Sequence, residues 1–293
     1  MGYQPKFQLS AALTIPFDAN QIVDKNMLIS HAHSLLKRGC QRVTLGGTTG
    51  EGTSLSASEK FEALDALIQS GIKPEQIGVG VFGTDLFETI SFIKKCLAIG
   101  VDHLLITQPF YFKNPTAQGI TDWYNYIFTA IGDELKNVIL YNIPSCTAID
   151  LPHETIEFLL NKYGKAIIGL KESSGDKEKT IAYQNAFPNL PLYVGSETYL
   201  GEMVKNGAIG SISGCANFIP EAIYDIIGSK QDRTDVQEIV TKIVSYPVTP
   251  AIKVFVAAQH SNPDWLRVRP PLQSLDIDAQ KALKDLYNRL NFS

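Results

Sequence analysis

The sequence has few cysteines and no long apolar run, and both absences narrow what the chain can be. Its 293 residues include four scattered cysteines, Cys40, Cys96, Cys146 and Cys215, with no C-x-x-C pair. Such spacing is typical of reduced, buried thiols and argues against a disulfide framework or a zinc site. No stretch approaches about 18 uninterrupted apolar residues, and residues 1–13 lack the features of a signal peptide. We therefore expect a soluble, cytoplasmic protein.

Histidine and excess charge are equally scarce. The five histidines are dispersed, and the nearest two, His31 and His33, would point to different faces of a helix. This spacing argues against a histidine-based metal site. With 26 Lys and Arg against 30 Asp and Glu, the net charge is −4, so there is no basic surface for nucleic acid or an anionic membrane. We expect a small-molecule partner, with no nucleic acid and no membrane.

What the sequence does have is a regular alternation of short β-branched runs and amphipathic stretches. Apolar residues make up 44% of the chain and charged residues 19%, as in an ordinary globular core. Several amphipathic stretches begin near a residue that could cap a helix, and we predict Ser58, Thr84, Thr121 and Asp176 as caps. The predicted strands are 10–15, 42–45, 76–80, 103–107, 137–141, 166–170, 191–194 and 208–212.

Eight strand–helix units of this length favour an α/β fold of the (β/α)8 TIM barrel type. A doubly wound open sheet is the competing fold, but it more usually has fewer strands and a second domain. Beyond residue 228 only helical segments follow, near 233–244, 249–260 and 275–289, with several prolines between them. We predict a barrel over 1–228 and a helical extension over 229–293 that packs on it.

In such a barrel the functional residues lie at the carboxyl ends of the strands. After the second predicted strand comes the loop GGTTGEG at 46–52, whose glycines let backbone N–H groups approach a ligand closely. Two hydroxyls, Thr48 and Thr49, lie in the same loop. The loop is therefore a candidate site for a carboxylate or phosphate, with a simple tight turn as the alternative.

Lys171 follows directly on the sixth predicted strand, and Tyr141 ends the fifth. A lysine at the end of an apolar strand should be partly desolvated, which favours the free amine needed for Schiff-base formation. The alternatives are a lysine that extends to solvent or one that pairs with Glu172. A phenol, an amine and an anion-binding loop at neighbouring strand ends favour the chemical role.

Four segments together resemble one known family. GTTGE at 47–51, PFY at 109–111, YNIPS at 141–145 and GLKESSGD at 169–176 are similar in order and spacing to the dihydrodipicolinate synthase/N-acetylneuraminate lyase family of pyruvate-dependent class I aldolases. The resemblance covers essentially the whole chain. It implies a carbon–carbon lyase with a (β/α)8 barrel and C-terminal helices, no metal, no organic cofactor, and a homotetramer or dimer of dimers.

The resemblance also implies roles for particular residues. Lys171 corresponds to the Schiff-base lysine, Tyr141 to the proton-relaying phenol, and Thr48 and Thr49 to the groups that bind the pyruvate carboxylate. Tyr111 corresponds to a tyrosine that crosses a dimer interface to complete a relay with Thr48 and Tyr141. Further positions expected to line the substrate site are Gly47, Gly195, Ile212, Ser173, Glu197 and Cys146.

The chain departs from the lysine-biosynthetic branch at the position that would contact the aldehyde. That branch typically has an arginine two residues after the proline of the YNIPS segment, and this chain has Cys146. Ser173 and Glu197 match positions that bind sugar hydroxyls in the sialic-acid lyase branch, although a helix-start hydroxyl and a solvated glutamate are alternative interpretations. We expect a 2-keto-3-deoxy sugar acid or a 4-hydroxy-2-oxo acid as substrate. Dihydrodipicolinate synthase and a catalytically silent 2-oxo-acid-binding barrel are the alternatives.

Two further patterns bear on regulation and cofactor use. The feedback-site positions of the lysine-making enzymes correspond here to Ala57, Lys60 and Phe110, and the charge of Lys60 would repel a cationic effector, so feedback by lysine is not expected. The segment 78–83 satisfies G-x-G-x-x-G, and Asp102 follows about twenty residues later, as in a dinucleotide site. Its place at the third strand instead of the first makes a nicotinamide-dependent dehydrogenase the weaker hypothesis.

Overall fold

Eight short parallel strands close into a single barrel. The computed structural model describes residues 8–290. Each strand pairs with its neighbours in chain order, and the last pairs with the first, which confirms the (β/α)8 TIM barrel. The strands are β1 (Leu9–Ala12), β2 (Arg42–Leu45), β3 (Ile77–Val81), β4 (His103–Thr107), β5 (Val138–Asn142), β6 (Ile167–Glu172), β7 (Leu192–Val194) and β8 (Gly210–Ser213).

Helices follow the strands around the outside and continue beyond β8. In chain order they are α1 (Lys25–Lys37), α2 (Ala57–Gln69), α3 (Leu86–Ala98), α4 (Ala117–Ile131), α5 (Pro144–Thr147), α6 (His153–Tyr163), α7 (Lys177–Ala186), α8 (Leu200–Lys205), α9 (Pro220–Ser229), α10 (Thr234–Val244), α11 (Val248–Gln259) and α12 (Ile277–Leu290). No helix within residues 8–290 is both long and apolar enough to span a membrane.

The strands are buried on both faces, which is why they appear in the sequence as nearly continuous apolar runs. Their outward side chains join the helices in one large core. Their inward side chains form a smaller cluster inside the barrel that includes Leu105, Ile139, Ile168, Tyr193 and Ile212. Because this cluster fills the interior, the barrel is solid. A ligand can therefore reach only the end of the barrel where the strands finish, called the open end below.

Three of the four predicted helix caps are wrong by one to five residues. The side chain of Ser56, not Ser58, caps α2 in a capping box with Glu59. Asp85, not Thr84, caps α3, and Thr116, not Thr121, caps α4, whereas Asp176 caps α7 as predicted. Where several Ser, Thr or Asp residues are close together, the cap is the one whose oxygen meets the exposed N–H groups of the first turn.

The helices after β8 lie against the barrel through α11. Nine consecutive residues of α11, from Thr249 to Ala257, are buried, so this helix is surrounded by protein on all sides. Phe255 stacks on Phe218, in the segment after β8, with ring centroids 4.5 Å apart. Lys253, in the middle of this apolar helix, is 0% exposed. The C-terminal helices are thus packed on the end of the barrel where the strands finish.

A hydrogen-bonded histidine pair joins α1 to the end of α11. Nδ1 of His31 lies 3.0 Å from Nε2 of His260, and Nε2 of His31 lies 3.1 Å from Oδ1 of Asn217. That Asn217 oxygen also accepts from the backbone N–H of Thr14, so His31 must donate through Nε2. Burial lowers the pKa of His31 from 6.5 to about 3. The neutral imidazole is therefore part of the folded structure.

This pair predicts an acid-dependent loss of stability. The folded chain binds the proton of His31 only near pH 3, whereas the unfolded chain binds it near 6.5. Unfolding therefore takes up a proton between these values, and the free energy of unfolding falls as pH decreases through that window. We expect His31→Gln to lose less stability than wild type between about pH 7 and about pH 5, as measured by urea unfolding.

A matched control lies on the same helix. His33 is exposed, so His33→Gln should leave the pH dependence of wild type unchanged. Equal acid sensitivity in wild type and His31→Gln would show that the buried imidazole does not control it.

Candidate active site

The site is centred on Lys171, and a one-residue irregularity between two strands determines its position. Val138 of β5 pairs with Ile167 of β6, but the next residue, Ile139, pairs with Gly169, so β6 contains one extra residue. Because of this bulge, Tyr141 lies opposite Lys171 instead of Leu170. Side chains that are paired in register point to the same side of a sheet, so Lys171 and Tyr141 both point into the barrel.

Lys171, Tyr141 and Thr48 lie together at the open end of the barrel. The amine Nζ of Lys171 is 4.5 Å from the centre of the Tyr141 ring, and both side chains are buried, with exposures of 6% and 1%. The Tyr141 hydroxyl is 3.3 Å from Oγ1 of Thr48. The ring of Phe82 packs against Tyr141 with centroids 5.8 Å apart. An amine, a phenol and an aliphatic hydroxyl thus share one desolvated place.

Glu172 does not pair with Lys171, because it points out of the opposite face of β6. Its carboxylate accepts from Asn142 Nδ2 at 3.2 Å, from the backbone N–H of Ser174 at 2.8 Å and from Thr180 Oγ1 at 2.6 Å. These contacts join the ends of β5 and β6 to α7. Both alternatives for Lys171, solvent exposure and pairing with Glu172, are therefore wrong.

The loop after β2 is close-packed, and two of its glycines are required by that packing. A Cβ on Gly52 would lie 1.8 Å from the carbonyl oxygen of Gly46, and one on Gly50 would lie 2.4 Å from that of Leu13. Gly47 has open space beside its Cα. Thr49 is buried, and its Oγ1 lies against Gly214 at the end of β8. This close-packed loop places Thr48 beside Tyr141.

Behind this loop is a fully buried ion pair that the sequence reasoning missed. Nζ of Lys253 in α11 lies 2.5 Å from Oε1 of Glu51, and both side chains are 0% exposed. Burial lowers the pKa of Lys253 to about 8, although Glu51 acts in the opposite direction. A single lysine within the apolar run AIKVFVAA could have indicated a buried partner, since lysine is almost never fully buried unless paired.

The other predicted pocket residues lie at the ends of β6, β7 and β8. Ile212 belongs to the inner cluster that contains Tyr141. Gly195 leaves room for the Ser173 hydroxyl, which would lie 1.8 Å from a Cβ on that glycine. The Ser173 oxygen is buried and makes no hydrogen bond within the described residues.

Glu197 is neither a solvated glutamate nor a free substrate ligand. It is 5% exposed, and its Oε1 accepts from Ser213 Oγ at 2.5 Å and from the backbone N–H of Cys215. It therefore joins the segment after β7 to the end of β8. The interpretation of Glu197 as a solvated glutamate is wrong, and a sugar hydroxyl would have to compete for a carboxylate that already has partners.

Two predicted site residues lie apart from this group in the single chain. Tyr111 is 74% exposed, and its ring packs edge-on against the equally exposed Phe112 with centroids 5.4 Å apart. Cys146 lies on the four-residue helix α5 after β5 and is exposed, unlike the other three cysteines, which are buried as expected. Neither side chain makes a described contact with Lys171.

The feedback-site positions named above do come together in the structure. Ala57, Lys60 and Phe110 line a cavity of about 330 Å³ outside the barrel, between α2 and α3. Lys60 is 8% exposed, its Nζ lies over the Phe92 ring, and burial lowers its pKa to about 8. Lys171, Tyr141 and Thr48 do not line this cavity, although Phe82, which packs against Tyr141, does.

The glycines of the dinucleotide-like motif have a structural explanation. Gly78 and Gly80 lie within β3, and a Cβ on Gly80 would be 2.3 Å from the carbonyl oxygen of Gly46. Asp102 precedes β4 and pairs with His103 and Lys136. These residues belong to a closed barrel and not to an open dinucleotide-binding sheet. Within residues 8–290, no group of three or more potential metal ligands is placed to hold an ion.

Comparison with known proteins gives a consistent result. The model of the dihydrodipicolinate synthetase family matches residues 6–289. An uncharacterized DapA-like lyase of Chloroflexus aurantiacus is 28% identical over 98% of this chain and 97% of that protein. The 4-hydroxy-tetrahydrodipicolinate synthase of Staphylococcus haemolyticus is 29% identical over 96% of both.

The solved structures agree with this match. The crystal structure of dihydrodipicolinate synthase from Agrobacterium tumefaciens superposes with a TM-score of 0.95 at 33% identity, covering 98% of this chain and 100% of that one. The match extends over the barrel and the C-terminal helices alike. The chain therefore belongs to the dihydrodipicolinate synthetase family of pyruvate-dependent lyases.

Proposed function

We propose that the chain is a Schiff-base-forming class I aldolase that joins pyruvate to an aldehyde or releases it, with Lys171 as the nucleophile. The observation that carries the proposal is the placement of the Lys171 amine against the Tyr141 ring, with the Tyr141 hydroxyl 3.3 Å from Thr48 Oγ1. The neutral amine is the form that attacks a ketone, and this arrangement places the amine beside a phenol that can transfer protons.

The proposed reaction proceeds through an imine. The Lys171 nitrogen attacks C2 of pyruvate, the Tyr141 hydroxyl transfers a proton to the resulting alkoxide, and loss of water gives a protonated imine. This imine accepts the electron pair left when the deprotonated Tyr141 oxygen takes a proton from C3. The enamine then forms a bond to the aldehyde carbon, the aldehyde oxygen takes that proton from Tyr141, and hydrolysis of the imine frees Lys171. Since the protonated imine is the electron sink, we propose that no metal or organic cofactor is used.

The remaining groups bind the substrate in this proposal. The N–H groups of the loop at Gly47, with the hydroxyls of Thr48 and Thr49, hold the pyruvate carboxylate, and Gly195 and Ile212 line the pocket around its methyl group. Tyr111 is exposed in the single chain, as expected of a residue that completes the relay of another subunit. We propose a homotetramer, or dimer of dimers, in which Tyr111 enters the neighbouring site, and a cytoplasmic location.

For the aldehyde, we propose a hydroxylated or neutral partner, so that the product is a 2-keto-3-deoxy sugar acid or a 4-hydroxy-2-oxo acid. The unpaired Ser173 hydroxyl favours a polyol, whereas Cys146 offers no cationic donor for a second carboxylate. The six arginines of the chain all have partners elsewhere: Arg38 with Glu221, Arg42 with the Glu75 carbonyl, Arg233 with Asp235, Arg267 with Asp264, Arg269 with Glu59 and Arg289 with Glu238.

The second candidate function is 4-hydroxy-tetrahydrodipicolinate synthase. It is favoured by the names of two relatives with 29% and 33% identity. It uses the same pyruvate chemistry and differs only in the aldehyde, aspartate semialdehyde. A silent 2-oxo-acid-binding barrel is less well supported, because the amine, phenol and hydroxyl needed for the reaction lie together.

Trapping of the imine tests the mechanism. Incubation with pyruvate and borohydride should add one reduced pyruvyl group at Lys171, and Lys171→Ala should abolish the addition while the protein still folds. Peptide mass spectrometry distinguishes Lys171 from Lys60 and Lys253, which are also buried within residues 8–290. Unmodified protein, or modification at either of those lysines, would disprove the assignment.

Removal of the Tyr141 hydroxyl tests the proton transfer. Tyr141→Phe keeps the ring beside Lys171 and should lower kcat by about 10²-fold with little change in pyruvate affinity, because an acid–base group is lost. Tyr124→Phe is the control, since it removes a buried phenol hydroxyl that bonds to the Ile106 carbonyl. An unchanged kcat in Tyr141→Phe would remove this residue from the relay.

A charge placed at Cys146 tests the choice of aldehyde. Cys146→Arg should raise kcat/KM for aspartate semialdehyde about ten- to a hundredfold, because a charged hydrogen bond is worth ~1.5–3 kcal/mol. Cys146→Gln, which is long but neutral, should not. The assay compares the semialdehyde with a panel of hydroxyaldehydes. If wild type used the semialdehyde far faster than every hydroxyaldehyde, the synthase would be the correct function.

A further inference from the structure

The glycine-rich loop that carries Thr48 and Thr49 is supported from behind by α11. Thr249 Oγ1, at the start of α11, lies 3.4 Å from the carbonyl oxygen of Thr48. One turn further, Ile252 and Thr49 both lie within reach of Gly214, where a Cβ would be 2.8 Å from Ile252 Cδ1 and 3.3 Å from Thr49 Oγ1. Helix α11 thus contacts the loop at Thr48 and packs beside Thr49 at Gly214.

The strongest of these contacts is the ion pair of Glu51 and Lys253. Glu51 adopts a left-handed backbone conformation, with φ of 51°, which costs energy for a residue other than glycine. Its Oε1 receives Nζ of Lys253 at 2.5 Å, and its Oε2 receives the backbone N–H of Arg269 at 2.8 Å. A strained residue is held in place only where its surroundings determine its position, and these two contacts do so.

Lys253 is itself held on three sides. Besides Glu51, its Nζ donates to the Arg267 carbonyl at 2.5 Å and lies 4.7 Å from the centre of the Phe17 ring. Arg269 packs over the same ring and donates to the Ser54 carbonyl at 2.8 Å, beyond the end of the loop. The cation is therefore an anchor inside the protein, and neither charge can reach solvent.

We propose that Glu51 and Lys253 are positioning residues for pyruvate. Through this pair, α11 of the C-terminal extension fixes the position of the loop at 46–52 relative to the strand ends. The proposal rests on the proposed function, which places the pyruvate carboxylate on that loop. Neither residue touches the reacting atoms. Loss of the pair should therefore weaken pyruvate binding and leave the chemistry at Lys171 and Tyr141 nearly unchanged.

The experiment measures borohydride trapping at increasing pyruvate concentration, which gives a half-saturation value and a limiting rate separately. The main variant is the double substitution Glu51→Gln with Lys253→Met, because removing one charge alone would leave the other buried and unpaired. We expect half-saturation to rise about ten- to a hundredfold, because the loop groups proposed to bind the carboxylate would lose alignment and hydrogen bonds to a charged group are worth about that much in affinity. The limiting rate should change much less than half-saturation does, because Lys171 and Tyr141 lie on the strands and only Thr48 of the relay lies on the loop.

Two further variants separate positioning from stability. Lys177→Met with Glu202→Gln removes an ion pair between α7 and α8 that has no contact with the loop, and should leave half-saturation unchanged. Glu51→Asp keeps the buried charge but shortens the arm by one methylene, so it should fold even if the double variant does not. It should raise half-saturation less than the double variant does.

The outcomes are distinct. If wild type is not trapped at all, the proposed function fails and this proposal fails with it. If wild type is trapped but Glu51→Asp and the double variant keep the wild-type half-saturation, only the positioning role is wrong. A fall in limiting rate with unchanged half-saturation would also overturn it, because the pair would then act on the reacting groups.

Discussion

The site depends on one extra residue in β6. Parallel strands bring neighbouring side chains to the same side only in a defined register, and a shift of one residue reverses which side chains face the interior. Without the bulge at Ile168, the apolar side chain of Leu170 would lie beside Tyr141, and Lys171 would be directed towards the helices. The bulge therefore places the amine of Lys171 and the phenol of Tyr141 side by side inside the barrel.

A bulge can fix the position of a side chain only if the neighbouring strand ends are held in place. Here the contacts of the outward-facing Glu172 hold them. Glu172 receives three donors from β5, the following turn and α7, and the Thr180 hydroxyl that donates to it also lies 3.2 Å from the Tyr199 hydroxyl. A carboxylate with its acceptor sites occupied tolerates burial and resists movement. Two adjacent residues of β6 thus point in opposite directions: Lys171 points into the barrel, where we propose that it reacts, and Glu172 points outward, where its contacts hold the end of the strand.

The sequence was sufficient for the architecture because the determining signals are local. Each predicted strand overlaps an observed one, with ends that differ by at most three residues. The agreement is this close because strands buried on both faces have nearly continuous apolar sequences between turn residues. The sequence allowed the selection of Lys171, Tyr141 and Thr48, because each lies at the end of such an apolar sequence or shortly after it. The partnership of Glu51 and Lys253, 202 positions apart, leaves no local signal beyond a lysine in an apolar helix. The bulge leaves no local signal either. It is defined by how β6 pairs with β5, and the residues of β6 alone do not specify that pairing.

The same distinction explains why family membership bears more directly on the groups proposed to hold pyruvate than on those proposed to contact the aldehyde. The groups proposed to hold pyruvate lie on strand ends and on a loop that α11 supports, so their geometry follows from the barrel itself. Cys146 lies on a four-residue helix after β5 and is exposed, where a substitution costs the fold little. Relatives can therefore share the fold and the imine chemistry while differing in the second substrate. We therefore base the choice between the two proposed aldehydes on the side chain at position 146 and not on the overall similarity.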